Sequence, residues 1–141
     1  MLRLVLDTAV MVAAFESATG ASRRLVLDVL DGQATMLLST SLMLEYEAVL
    51  TRPEMLARSG LTVPDVLEVL DELALRCTPV AFDYRWRPIA RDPDDELVLE
   101  TAINGAADII ATFNVKDMAA GGAAFGILVE RPAAVLKRIG R

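Results

Sequence analysis

The sequence predicts a three-layer α/β/α sandwich with a mainly parallel central sheet. Two observations carry that prediction. Short apolar runs rich in Val, Leu and Ile recur along the chain, and amphipathic stretches of helical period separate them. Strands that are apolar on both faces belong to parallel sheets covered by helices on each side. The 141 residues are enough for one domain with its own core, so a single domain over residues 1–141 is expected.

Each element has a local signal. Leu2–Leu6 is a first strand ending at Asp7, and Thr8–Ser17 is a first helix. Thr19-Gly20-Ala21 breaks the chain. Ser22 is expected to cap a second helix, with Leu25, Val26, Val29 and Leu30 on one face and Gly32 at its end. Ala34–Leu38 is a second strand. A helix from Ser41 to about Leu50 follows, and Arg52-Pro53 stops it. Thr62-Val63-Pro64 opens another helix to about Leu75, with Leu67, Leu70 and Ala74 inward. Thr78–Phe82 is a third strand. Asp92-Pro93 sets a capping carboxylate before a proline at the first helical position, and that helix runs to about Asn104, where Gly105 ends it. Asp108–Thr112 and Phe125–Val129 are the fourth and fifth strands. Arg131-Pro132 opens a closing helix.

Composition removes whole classes of function. The mean hydropathy of +0.42 excludes a disordered chain. No run approaches the roughly 20 apolar residues of a membrane span. Asp7 interrupts the apolar N-terminus, which therefore reads as strand and helix rather than signal peptide, and a cytoplasmic protein is expected. Histidine is absent, which removes Ser-His-Asp and Cys-His catalysis and the usual zinc sites. The single Cys77 excludes an internal disulfide and reads as a buried structural thiol. Catalysis must then use carboxylates, hydroxyls, Lys, Arg or a hard metal. The net charge of −6 disfavours a broad nucleic-acid-binding surface. A local basic rim around an acidic, metal-filled site remains compatible with it.

The acids supply the functional signal. In parallel sheets the site lies beyond the carboxyl ends of the strands. Asp7 ends the first strand, Glu45 follows the second by one helical turn, Asp95 follows the third, and Asn114 with Asp117 follows the fourth. Taken singly, each such acid is more often structural. Four successive strand exits bearing acid or amide reverse that expectation for the set. Asp95 shares the apolar stripe of Val98, Leu99, Ala102, Ile103 and Ala106, whereas Glu96 and Glu100 fall on another face and are expected to be solvated. Periodicity does not choose between Glu45 and Glu47, each of which shares a stripe with apolar neighbours. Asp28, Asp31, Asp65, Glu68, Asp71 and Glu72 read as solvated helix faces. Converging carboxylates repel, and a hard divalent cation relieves both the repulsion and the cost of burial.

These residues resemble the PIN-domain family. Leu4-Val5-Leu6-Asp7-Thr8 is similar to its opening strand and first acid. Ser39-Thr40-Ser41-Leu42-Met43-Leu44-Glu45-Tyr46 with Val49-Leu50-Thr51-Arg52-Pro53 resembles the second motif, where the family's acid falls on Glu45. The third resembles Arg91-Asp92-Pro93-Asp94-Asp95-Glu96-Leu97, with its metal-binding acid on Asp95. The fourth resembles Ala107 to Asp117, and the Pro132–Leu136 segment looks like the usual ending. Similarity is greatest to the bacterial VapC-like toxins. It implies an endonuclease for single-stranded RNA that uses Mg²⁺ or Mn²⁺ and is held inactive by a cognate antitoxin. Many PIN domains carry Asp where this chain has Asn114, and Asp117 would then supply the fourth carboxylate.

The mechanism implied has Asp7, Glu45, Asp95 and Asp117 holding one or two divalent ions that activate water against a phosphodiester. Thr8 is open to two readings, a support for a metal-bound water or for Asp7, and a plain helix-start residue. Thr112 either binds a phosphate or ends a strand. Arg85, Arg87 and Arg91, with Tyr84 and Trp86, form the one basic–aromatic cluster, which would either contact RNA or pack as a surface loop. A homodimer and a partner helix are further expectations, although Met11, Met43 and Met55 fit core packing better. The rival reading is a non-catalytic RNA-binding or protein-interaction module of the same fold.

Overall fold

A computed structural model describes residues 1–82 and 93–140. At its centre runs β1 (Arg3–Leu6), flanked by β2 (Thr35–Ser39) and β4 (Ile109–Ala111). β3 (Thr78–Val80) lies outside β2, and β5 (Leu128–Glu130) outside β4, so the order is β3-β2-β1-β4-β5 with every pair parallel. Leu4, Val5, Leu6, Met36, Leu37, Ile109, Ile110 and Ala111 are fully buried. That is what a sheet covered on both faces requires.

Between the strands lie α1 (Thr8–Glu16), α2 (Ala21–Leu30), α3 (Thr40–Leu50), α4 (Pro53–Ser59), α5 (Val63–Arg76), α6 (Pro93–Asn104) and α7 (Val115–Ala123), and α8 (Pro132–Ile139) closes the chain. Right-handed crossovers decide the layers. The chain steps one way from β1 to β2 to β3 and then returns past β1 to β4, so α6 and α7 fall on the face opposite α1 and α2. Packing agrees: α2 meets α1, α5 and α8, whereas α6 meets α7 and strands β1, β2 and β4. The three-layer α/β/α sandwich is therefore observed, and its sheet is parallel throughout. Among the described residues no helix is long and apolar enough to cross a membrane.

Several local expectations are corrected. Ser22 does not cap α2; Gly20 does, and Ser22 lies buried in the first turn. Ser39 begins α3, its hydroxyl accepting from the Leu42 N–H at 3.2 Å. Arg52-Pro53 stops α3 but also starts α4, because proline suits the first helical position as well as it ends a helix. α5 opens on a capping box of Thr62 and Asp65, but it buries Val66, Leu70 and Leu73, leaving Ala74 exposed and Leu67 half-buried. α7 was not foreseen, since its Ala- and Gly-rich sequence lacks a clear stripe. Asp28, expected in solvent, is fully buried against the Arg24 guanidinium at 2.8 Å. The expected cap Asp92 lies outside the described residues.

The end of α6 corrects another expectation. Gly105 was expected to end the helix and does, while Ala106 was expected on its apolar stripe. Ala106 instead takes the positive φ of 52°, and it leaves the helical stripe for solvent. Gly105 is needed for space: a Cβ there would meet Val80 Cγ2 at 2.8 Å, Leu37 Cδ1 at 2.9 Å and the Thr101 carbonyl at 3.0 Å.

Candidate active site

β1 and β4 are neighbours, yet the chain leaves β1 toward β2 and arrives at β4 from β3. The connections therefore diverge between them and open a crevice at their carboxyl ends. Asp7 is the residue after β1. Its N–H donates to the Ala111 carbonyl at 2.9 Å, which locks it beside the end of β4. It is also the first residue before α1, and its backbone there is extended. Its carboxylate does not cap α1. It turns to Thr112, whose hydroxyl donates to Oδ2 at 2.7 Å. The same hydroxyl accepts from the Asn114 N–H at 2.9 Å, so one buried group joins the first acid to the turn that begins α7.

Glu45 sits half-buried on α3, and the Thr8 hydroxyl donates to its Oε2. Its neighbour Tyr46 is fully buried and donates its hydroxyl to the Leu6 carbonyl, the last of β1. Two consecutive residues of α3 thus grip the β1–α1 junction. Burial, then Cys77, then Asp7 and Glu45 hold the Tyr46 phenol well above its ordinary pKa, so it stays a neutral donor. Ser39, at the end of β2, pairs its hydroxyl with that of Thr101 on α6 at 2.8 Å. That contact ties α6 to the same edge of the sheet.

An open cavity of about 450 Å³ results, lined by Asp7, Thr8, Glu45, Arg52, Asp95 and Asn114, with Ala9, Ala48 and Val49 completing the wall. Asp7 is 8% exposed and Asp95 6%. The fold therefore gathers three of the four expected acids, plus the amide of Asn114, from four separate elements. Glu47 does not line the cavity. Asp117 is exposed in the first turn of α7 and is also absent from the lining. Thr8 supports Glu45 rather than Asp7, and Thr112 supports Asp7. Arg52 was missed as a site residue: its sequence signal, an Arg-Pro pair, read only as punctuation. Arg85, Arg87 and Arg91 lie outside the described residues, as do Tyr84 and Trp86.

Glu96 and Glu100 are corrected as well. Both are buried, Glu100 completely. α6 is enclosed by three strands and by α3 and α7, so little of its circumference reaches solvent. Periodicity assumes one wet face, and this helix has almost none.

The family model described as PIN domain matches residues 3–116, from β1 to the start of α7. The chain belongs to the PIN-domain family. That span includes Asp7, Glu45, Asp95, Thr112 and Asn114. The PIN fold also appears among solved structures. One described as VapBC2 from Rickettsia felis bound to a DNA fragment from their promoter aligns with a TM-score of 0.61 and 16% identity, over 92% of this chain and 98% of that one. No curated protein matches.

Proposed function

We propose that this PIN domain is a divalent-metal-dependent endoribonuclease and the toxin of a toxin–antitoxin pair. The observation that carries the proposal is the single cavity receiving Asp7 from the end of β1, Glu45 from the middle of α3 and Asp95 from the first turn of α6. Its donors are all oxygen, which suits Mg²⁺ or Mn²⁺. Among the described residues no three acids stand close enough to hold an ion unaided. Mg²⁺ keeps several waters and takes only one or two carboxylates directly, so it would be held here through water as well as through these acids. A bound ion supplies an acidic water and neutralises charge on the scissile phosphate.

The chain's own residues do the positioning. Thr112 holds Asp7 and Thr8 holds Glu45, which fixes where each carboxylate points. Asn114 offers a neutral amide to substrate or water. Asp117, one turn along α7, would act on the ion through water. Arg52 brings the one positive side chain on the described wall and would meet a phosphate oxygen. The VapBC2 likeness supports an antitoxin partner, and the apolar groove of Phe15, Val26, Leu27, Leu30, Leu61 and Val69 would suit its helix.

The test is cleavage of a labelled single-stranded RNA by the purified chain with Mg²⁺, Mn²⁺ or EDTA. Wild type should cleave only with metal, and Asp7→Asn should lose at least about a hundredfold in rate while staying folded. Equal rates for Asp7→Asn and wild type would end this reading. The rival, a non-catalytic module, draws on Asn114 standing where many relatives carry an acid; it requires that Mn²⁺ titration show no binding.

A further inference from the structure

A second cavity, of about 360 Å³, lies beside the first and contains no acid. Ala13, Ser17, Gly20, Ala21, Ser22, Phe113, Arg131, Pro132 and Ala133 line it. The two cavities are consecutive. Ala9 lines the acidic one and Ala13 and Ser17 the other, at successive four-residue steps down one face of α1. At the other wall Phe113 belongs to the second cavity and Asn114 to the first. Small Ala side chains keep the floor between them low, and the path from Ala9 to Ser17 is about 12 Å at the rise of an α-helix. That is long enough for a short run of nucleotides.

Its chemistry is that of an anion site. α2 starts here on Gly20, which has no side chain to cap it, so the first N–H groups of α2 face the cavity without a protein acceptor. α8 starts here too, on Arg131 and Pro132, with no side-chain cap. The independent observation is Ser22. It is only 4% exposed and lines the cavity, and among the described residues its hydroxyl has no hydrogen-bond partner. A hydroxyl that reaches the cavity without a protein partner can donate to a ligand there. Arg131 completes the set. No carboxylate among the described residues pairs with it, and its guanidinium stands over the Phe113 ring, 5.5 Å from the centroid. The ring orders the guanidinium in advance, which lowers the entropic cost of gripping a ligand.

We infer that the cavity of Ser22, Phe113 and Arg131 is a subsite for a non-scissile phosphate of single-stranded RNA. This rests on the nuclease reading of the neighbouring cavity and adds where the strand runs: along α1, from the acidic crevice to the start of α2. It also explains how a chain of net charge −6 can hold a polyanion. The basic contact is local, and uncapped helix N–H groups supply the rest.

The experiment uses the full chain and two probes. In the first arm, inorganic phosphate is titrated into ¹⁵N-labelled protein. The amides of Ser22 and Ala133 should shift in wild type and stay still in Arg131→Gln, whose exposed side chain makes misfolding no concern. In the second arm, a fluorescein-labelled oligouridylate is bound at several salt concentrations in EDTA, and its cleavage is followed separately with Mn²⁺. Arg131→Gln should weaken binding about tenfold and reduce the salt slope by about 0.7, the share of one phosphate contact on a single strand. Arg131→Lys should restore the slope. Ser22→Ala should weaken binding about threefold. Still amides in wild type, or an Arg131→Gln variant with wild-type slope and KM, would overturn the subsite and leave the nuclease reading intact. A wild type without metal-dependent cleavage would overturn the nuclease reading and the RNA assignment together, while the amide shifts still decide whether phosphate binds.

Discussion

Thr112→Val is the most searching test of the site's construction. Valine matches threonine in shape, so the change removes one hydroxyl from a fully buried position and opens no cavity. Two bonds go with it: the 2.7 Å donation to Asp7 Oδ2 and the 2.9 Å acceptance from the Asn114 N–H. Losing a bond to a charged group costs about 1.5–3 kcal/mol, and losing a backbone partner near the surface about 0.5–1.5 kcal/mol. The sum, about 2–4.5 kcal/mol, is large against a typical total of about 5–15 kcal/mol. Urea unfolding in EDTA, followed by far-UV circular dichroism, should show the midpoint falling at unchanged slope. Calorimetric titration should show Mn²⁺ affinity falling by about 10–100-fold, since Asp7 loses the group that aims it. Thr112→Ser keeps the hydroxyl and should hold metal affinity near wild type. A Thr112→Val protein within about 0.5 kcal/mol of wild type, with equal Mn²⁺ affinity, would refute the claim that this hydroxyl organises the site.

Other predictions follow from the same geometry. Asp95→Asn should cut the cleavage rate about as severely as Asp7→Asn, whereas Asp117→Asn should cost less than about tenfold; steady-state kinetics with Mn²⁺ reads both. Gly105→Ala should destabilise by about 1–3 kcal/mol through its clash with Val80, Leu37 and the Thr101 carbonyl, while Ala106→Gly should be neutral or stabilise by up to about 1 kcal/mol by relieving a positive φ; urea unfolding measures each. Burial raises the Cys77 thiol from its ordinary 9.0 to about 12, and the Tyr46 phenol is raised too. Both groups favour the folded state while protonated. Their contribution is complete below about pH 9 and is lost as pH climbs through about 12, with a ceiling of about 4 kcal/mol for the partly solvated Cys77. Cys77→Ala should flatten the alkaline arm of stability against pH; an unaltered arm would assign it elsewhere.

The sequence showed the frame of the site better than its wiring. Asp7 was legible because an apolar strand ends on it, and Asp95 because it shares a helical stripe with Val98 and Leu99. Glu45 was not separable from Glu47 by phase, since α3 has apolar residues on both candidate faces; the family resemblance chose it, and the cavity contains it. Hydroxyl contacts stayed invisible for a different reason. Thr112 meets Asp7 across a separation of 105 residues, and no local pattern encodes such a meeting. The burial of Asp28, Glu96 and Glu100 was missed because periodicity measures apolar bias, and an acid with a partner can sit inside without changing it. Proline carries two meanings, stop and start, so α4 vanished behind the end of α3.

That long-range pairing of Asp7 with Thr112 has a consequence for how the protein is made. The crevice exists only where β4 has slotted in beside β1, and β4 is the fourth strand to be synthesised. A nascent chain can pair β1, β2 and β3 and bury much of one face while having no acidic crevice at all. Contacts of such sequence separation form late and cooperatively. The proposed activity therefore requires β4 to be in place, so a chain that ends before β4 would lack it.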